Sequence, residues 1–301
     1  MEKGNVIRWI LIAIMILSLP FIVTSPAVAE IQALDLDQTV PGNPTIESGW
    51  SDEENYEDPS ITVTTEHMKV GKLPVSIVRI KIADPSQIRT AMSDNNYDKT
   101  VYVKATVLAQ SVNAVAAVNG DFFKYFDFGL TIRQGVMYRE IYSEKYMRDV
   151  LVIDDQGDLY GIKQATAEKY QTFLAETLPE GRSVINTFTL GPVLVENGEP
   201  QEFTTREFQY RYKMQRVAIV QTGELEYAIV ECDGKADATQ GMTLSDFGEF
   251  IAEQFPECRI AYNLDGGGST NVIVGGKRIH KNPNTRQICD ILYFASAWTE
   301  E

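Results

Sequence analysis

Apolar and polar residues alternate over Ile61-Thr62-Val63-Thr64, and β-branched residues crowd Val75 to Ile82, so both segments read as strands. Further strands are expected at Ala114–Val118, Asp149–Asp154, Val193–Val195, Val217–Gln221, Tyr227–Cys232, Ile260–Leu264, Asn271–Val274 and Ile291–Ala295. Turn signals at Asp155-Gln156-Gly157, Asn197-Gly198 and Gly275-Gly276 separate several of them. Two segments keep helical spacing instead. Ala105 to Asn113 presents Val107, Leu108 and Val112 for packing, and from Thr243 onward Leu244, Phe247, Ile251 and Phe255 share a face with Phe250 beside them. Thr243 or Ser245 can accept from the first free amides of that second helix, Asp246 suits its positive end, and Pro256 stops it. Strand 227–232, helix 244–255 and strand 260–264 make a strand–helix–strand unit long enough to join a parallel pair. The class expected is α+β: a mixed β-sheet domain with a few packed helices, including that unit around 227–264, and with no internal repeat.

The first sixty residues behave differently. Residues 1–29 combine a short charged head (Glu2, Lys3, Arg8), an apolar run from Trp9 to Val23, and the small-residue pattern Ala27-Val28-Ala29. The run is shorter than the ~20 residues a bilayer-spanning helix needs. A cleaved signal peptide is the expectation, with an uncleaved N-terminal anchor as the alternative, and either places the domain outside the cytoplasm: secreted, or held at the cell envelope. Residues 30–60 carry nine Asp or Glu and no Lys or Arg, interrupted by Pro41-Gly42-Asn43-Pro44, which predicts a solvated, flexible acidic linker. The folded domain is then expected over 61–298.

Charge narrows the partners. Without residues 1–29 the chain holds 25 Lys and Arg against 41 Asp and Glu, a net charge of −16. Such a field repels nucleic acid and anionic lipid, although a local cationic pocket for one phosphate is compatible with it. Cys232, Cys258 and Cys289 have no zinc-site spacing, and the only histidines, His67 and His280, lie far apart. Small buried hydrophobes are the preferred reading of the cysteines, with a Cys232–Cys258 bridge as the alternative in an exported protein.

The candidate chemistry starts at Asn263-Leu264-Asp265-Gly266-Gly267-Gly268-Ser269-Thr270, a tight loop between two apolar strands. Gly266, Gly267 and Gly268 remove every Cβ and let backbone amides approach an anion, while Ser269 and Thr270 add hydroxyls. Asn263 and Asp265 sit two apart, so in extended chain they point to one face. Taken alone, the loop serves equally well as a glycine-rich turn in which Asp265 caps its own backbone. Asn119-Gly120-Asp121 ends a strand, which by itself is first a turn signal with a solvated acid. Gly129-Leu130-Thr131-Ile132 and Gly191-Pro192-Val193-Leu194 read as loops leading into strands, with packing roles. Arg216 opens an apolar strand, where its fork could take a phosphate or merely join Arg211 and Lys213 at the surface. Arg286 and Asp290 flank the start of the last strand, where a weak surface ion pair is the bland alternative.

Taken in order, Asn119–Phe123, Gly191-Pro192, Gln215–Ile219, Asp233-Gly234 with Gly241–Leu244, Asn263–Thr270 and Arg286–Asp290 resemble the phosphodiester glycosidase family across roughly residues 61–298. Many bacterial members are exopolysaccharide-related. The chain departs from the family pattern with Thr239 in place of Ser, Val217 in place of Thr and Cys289 in place of Ser. The resemblance implies hydrolysis of the bond between a sugar's anomeric carbon and a phosphodiester oxygen, with a glycosyl phosphodiester or envelope polysaccharide as partner. It implies Asp265 or Asp121 as base or nucleophile and Arg216 with Arg286 on the phosphate. Asn119, Gly120, Asn263, Gly266, Gly267, Gly268, Ser269, Thr270, Asp290 and Thr239 would complete the substrate site. No cofactor follows from it. Two rivals stay open: a metal-dependent phosphodiesterase with Asp121, Asp265 and Asp290 on a divalent cation, and a non-catalytic envelope glycan-binding module.

Overall fold

The computed structural model describes residues 31–99, 101–203, 210–235, 240–280 and 285–299, so the leader and Thr239 lie outside the described residues. Strand (42%) outweighs helix (16%), which settles an α+β chain weighted toward sheet.

The largest sheet has eight strands, in spatial order Tyr56–Asp58, Ile61–Val70, Leu73–Ile82, Glu226–Cys232, Arg216–Gly223, Ile260–Asn263, Val193–Glu196 and Glu199–Pro200. A five-stranded sheet runs Lys277–Arg278, Val272–Val274, Ala114–Asn119, Asp290–Ala295 and Ile88–Met92. Period-two alternation sorts the side chains between layers. Val217, Ile219, Tyr227 and Ile229 face inward and meet Val118, Val272, Leu292 and Phe294 of the second sheet in the main core. Their neighbours Ala218, Val220, Ala228 and Val230 face the other way, against Leu244, Phe247 and Ile251 of the helix Leu244–Gln254. The helix Ala105–Ser111 covers the outer face of the five-stranded sheet through Leu108 and Ala109. A three-stranded sheet (Val184–Leu190, Asp149–Asp154, Leu159–Ile162) and the hairpin Gly129–Arg133/Val136–Ile141 close the remaining side with the helix Ala167–Thr172. No helix of the described residues is long and apolar enough to cross a membrane.

Two expectations need correction. The strands Glu226–Cys232 and Ile260–Asn263 are not hydrogen-bonded neighbours. Arg216–Gly223 lies between them and pairs antiparallel with both, because a short hairpin joins it to Glu226–Cys232 before the helix is reached. The acidic stretch is also not a free linker over the described residues 31–60. Asn43 bridges to Ser296, and Tyr56–Asp58 adds a strand beside Ile61–Val70. The fully buried Arg89 explains the packing: its Nη2 donates to the carbonyls of Asp35 and Val40 at 2.6 and 3.1 Å. Acid-rich sequence thus docks through its backbone, which a charge count does not register. The three cysteines are buried free thiols.

Candidate active site

The glycine loop is pinned to both large sheets. From the eight-stranded sheet, Leu264 donates its amide to Val217 O at 2.9 Å and Gly267 to Gln215 O at 3.0 Å. From the five-stranded sheet, Asn119 Nδ2 donates to Asp265 O at 2.8 Å, while Asp265 N donates to Gly120 O at 3.3 Å. Gly266 has no room for a side chain, since a Cβ there would sit 2.7 Å from Gln215 O, and Gly267 adopts φ +58°. A short turn over Gly267–Ser269 follows. Its amides are largely engaged within the fold: Ser269 N donates to Gly266 O at 3.1 Å and Thr270 N to Gly267 O at 3.2 Å.

This anchoring aims Asp265 into a cavity of about 980 Å³. Arg216, Asn263, Gly266, Gly267, Gly268 and Arg286 line the same space. Arg286 Nη2 lies 2.9 Å from Asp265 Oδ2, and its Nε donates to Ser269 Oγ at 2.5 Å. Burial pushes the Asp265 carboxyl above its ordinary value, while the Ser269 hydroxyl and the Arg286 charge pull it back down. Arg216 is 3% exposed and donates to the carbonyls of Met242 and Tyr212 at 3.3 and 2.9 Å. Its burial lowers its pKa to about 10, which still leaves a cation at neutral pH. Asn263 Nδ2 holds Gly191 O at 2.8 Å, but its buried Oδ1 has no protein partner.

The other candidates sit behind this wall. Asp121 and Asp290 are buried and share one guanidinium: Arg133 Nη2 lies 3.1 Å from Asp121 Oδ1 and 2.8 Å from Asp290 Oδ2. Asp121 Oδ2 also accepts from Thr189 N at 2.5 Å. Gly120 is needed above them, because any Cβ there would run into the Asp290 carboxylate. Burial raises Asp290, with the Arg133 charge opposing. Asn119, Asp121, Asp290, Ser269 and Thr270 therefore support the loop and do not line the cavity. With Asp121 and Asp290 committed to Arg133, the trio Asp121, Asp265 and Asp290 does not fit a divalent cation. Among the described residues, no group of three or more His, Cys, Asp or Glu is arranged to hold one. Of the departures from the family pattern, Val217 belongs to the inter-sheet core and Cys289 packs with Met92 and Phe123.

Arg133, Arg148 and the aromatic lining escape the sequence reading. Arg133 closes a strand read as mere packing, and its acids lie 12 and 157 residues away, so no local pattern marks it. The aromatic lining did leave a signal. Five of the seven residues 122–128 are Phe or Tyr, a density that a polar turn does not need.

The phosphodiester glycosidase family model matches residues 112–295. The SPbeta prophage-derived uncharacterized protein YomE of Bacillus subtilis (strain 168) is 28% identical over 181 residues, 58% of this chain. The chain spans about a quarter of that relative's length, 26%. Among solved structures, the catalytic domain of zebrafish N-acetylglucosamine-1-phosphodiester alpha-N-acetylglucosaminidase, auto-inhibited by its pro-peptide, superposes with a TM-score of 0.61 at 18% identity. That match covers 81% of this chain and 86% of the other. A hypothetical protein from Synechocystis follows at a TM-score of 0.52 and 14% identity, covering 78% and 62%. At such identities the likeness is one of fold.

Proposed function

Since the chain belongs to the phosphodiester glycosidase family, we propose that it is an exported hydrolase that splits sugar-1-phosphodiesters of cell-surface or extracellular glycans into free sugar and a phosphomonoester. The observation that carries this reading is the single cavity in which Asp265 meets both Arg216 and Arg286. The two arginines bind the phosphodiester, and Asn263 Oδ1 accepts from a sugar hydroxyl. Asp265, whose carboxyl burial holds above its ordinary value, takes a proton from water as general base while the water oxygen attacks the anomeric carbon. The bond from that carbon to the phosphate oxygen breaks, and its electron pair leaves with the phosphate. Cations already in place stabilise the growing charge without reorganising. A phosphate leaves readily, so no second carboxyl is required as acid, and Asp121 is free to serve the buried support.

Product analysis tests the reading. Incubation with a panel of glycosyl phosphodiesters, including teichoic-acid and capsule fragments, is expected to yield free sugar and phosphomonoester, at a rate that survives a chelator. Release of sugar-1-phosphate, or a rate abolished by chelation, would overturn it in favour of metal-assisted P–O cleavage. Binding without any turnover would favour the glycan-binding module.

A further inference from the structure

A second cavity, of about 370 Å³, shares a single lining residue with the first, Arg286. Lys104, just before the helix Ala105–Ser111, and Arg278, on the strand Lys277–Arg278, line it together with the polar Thr106, Thr285 and Gln287. Three cations thus border one space that no described acid lines. In a chain with 42 Asp and Glu against 27 Lys and Arg, that grouping runs against the composition. Elsewhere on the surface, cations are met by acids. In the groove along Leu159–Ile162, Lys163 pairs with Glu196 at 2.7 Å and Arg259 with Asp158 at 3.3 Å. Among the described residues, neither Lys104 nor Arg278 has such a partner. Arg278 is half-buried, and its Nη1 donates to the Thr285 hydroxyl, which holds its guanidinium at the wall. Of the three cations, the proposed hydrolysis uses only Arg286.

Like charges gathered without counter-charges repel one another, and an anion seated among them relieves the repulsion. Two of the three are guanidinium groups, whose planar forks suit phosphate oxygens. We infer that this cavity is a second phosphate site, and that its occupant is the neighbouring phosphate of the same substrate chain; this rests on the hydrolase reading above. Arg286 then stands between two phosphates, one under attack beside Asp265 and one held by Lys104 and Arg278. The two spaces have one side chain in common, so the unit between successive phosphates is small. The substrate is therefore a polymer of closely spaced phosphodiesters. A glycan with one isolated phosphodiester leaves Lys104 and Arg278 idle. Free inorganic phosphate carries the same chemistry as the chain's own, and experiment separates the two sources.

The test uses N-acetylglucosaminyl 1-phosphate esterified to one end of glycerol, with the other end either free or carrying a methyl phosphodiester. A chain of net charge −15 repels added negative charge as a whole, so a gain from the second phosphate has the opposite sign to the bulk field. The two-phosphate ester should exceed the one-phosphate ester in kcat/KM by about tenfold, the scale of one charge-assisted contact, and chiefly through KM. Lys104→Gln and Arg278→Gln should each bring that ratio toward unity. Lys104 is exposed, so its replacement spares the fold. Calorimetric titration with inorganic phosphate is the second arm. Equal rates on the two esters, with a phosphate heat that is lost in Lys104→Gln, would keep the site and reject the chain as its source. A ratio that survives in both variants, or equal rates with no phosphate heat that depends on Lys104, would overturn the site and leave the hydrolase reading intact. If neither ester is cleaved, it is the hydrolase reading that fails for this sugar, and the phosphate titration decides the site on its own.

Discussion

Arg286 and Asp265 form an ion pair of 2.9 Å at the mouth of a loop whose every other fixture is backbone or buried. The arginine half faces solvent, with a side chain 49% exposed, while the acid side chain is 16% exposed. In the reaction proposed above, the more exposed arginine meets the incoming phosphate and the more enclosed acid faces the reacting carbon. Asp265→Asn keeps this shape and removes only the base. Its turnover is expected to fall by at least about a hundredfold with folding intact, measured as kcat on the preferred ester. Near wild-type kcat would take Asp265 out of the mechanism.

Arg286→Gln tests the electrostatic half of the pair. Burial raises the Asp265 pKa and Arg286 lowers it, so removing the arginine lets that pKa climb further. The base works only when ionised, so the acid limb of the kcat/KM profile should move to higher pH. KM should rise as well, because a phosphate ligand is lost. A pH titration of initial rates reads both effects, and an unmoved acid limb would separate Arg286 from the ionisation of Asp265.

Arg133→Met strips the shared counter-charge from Asp121 and Asp290. Breaking a fully buried ion pair from one side costs about 3–5 kcal/mol, and here two carboxylates are left behind in the same enclosed space. Denaturant melts should show a loss of that order. A variant as stable as wild type would mean that water reaches the pair.

Glu231 predicts a pH dependence of stability with a definite sign. Burial, with Asp233 adding to it, pushes the Glu231 carboxyl up to about 8, and its Oε1 has no partner. The folded chain therefore keeps a proton that the unfolded chain releases near 4.5. This contribution is full below the unfolded value and is lost as pH rises from about 4.5 to about 8, at roughly 1.4 kcal/mol per unit. Glu231→Gln cannot ionise, so its melting temperature should gain on wild type across that window. Parallel melting curves in a buffer series would sink the idea.

Much of the architecture was legible because periodicity reports burial directly. The strands at 114–119, 149–154, 216–223, 226–232 and 290–295 and the helix at 244–254 fall where apolar spacing puts them, within a residue or two. Strands such as Ile88–Met92 and Val184–Leu190 escaped because they carry buried Arg89, Thr90, Asn186 and Thr187, which break the alternation. Within the site, residue type left Asp265, Arg216 and Arg286 open, and the family resemblance singled them out; the structure brings all three to one cavity. The layering was not legible. Asp121 looks like a second catalytic acid until Arg133, brought in from a different hairpin, takes up its charge. Pairings across 12 and 157 residues leave no trace in local composition. The acidic segment misled for a related reason, since its carbonyls rather than its side chains do the docking.

The cavity wall also divides by origin. Arg216, Asn263 and Asp265 lie in or directly after strands of the eight-stranded sheet, whereas the aromatic lining comes wholly from the connections on either side of the hairpin Gly129–Arg133/Val136–Ile141. Insertions, deletions or wholesale exchange in those two connections would leave Arg216, Asn263 and Asp265 in register. The residues proposed for the reaction and the aromatic wall above them can therefore vary independently of each other.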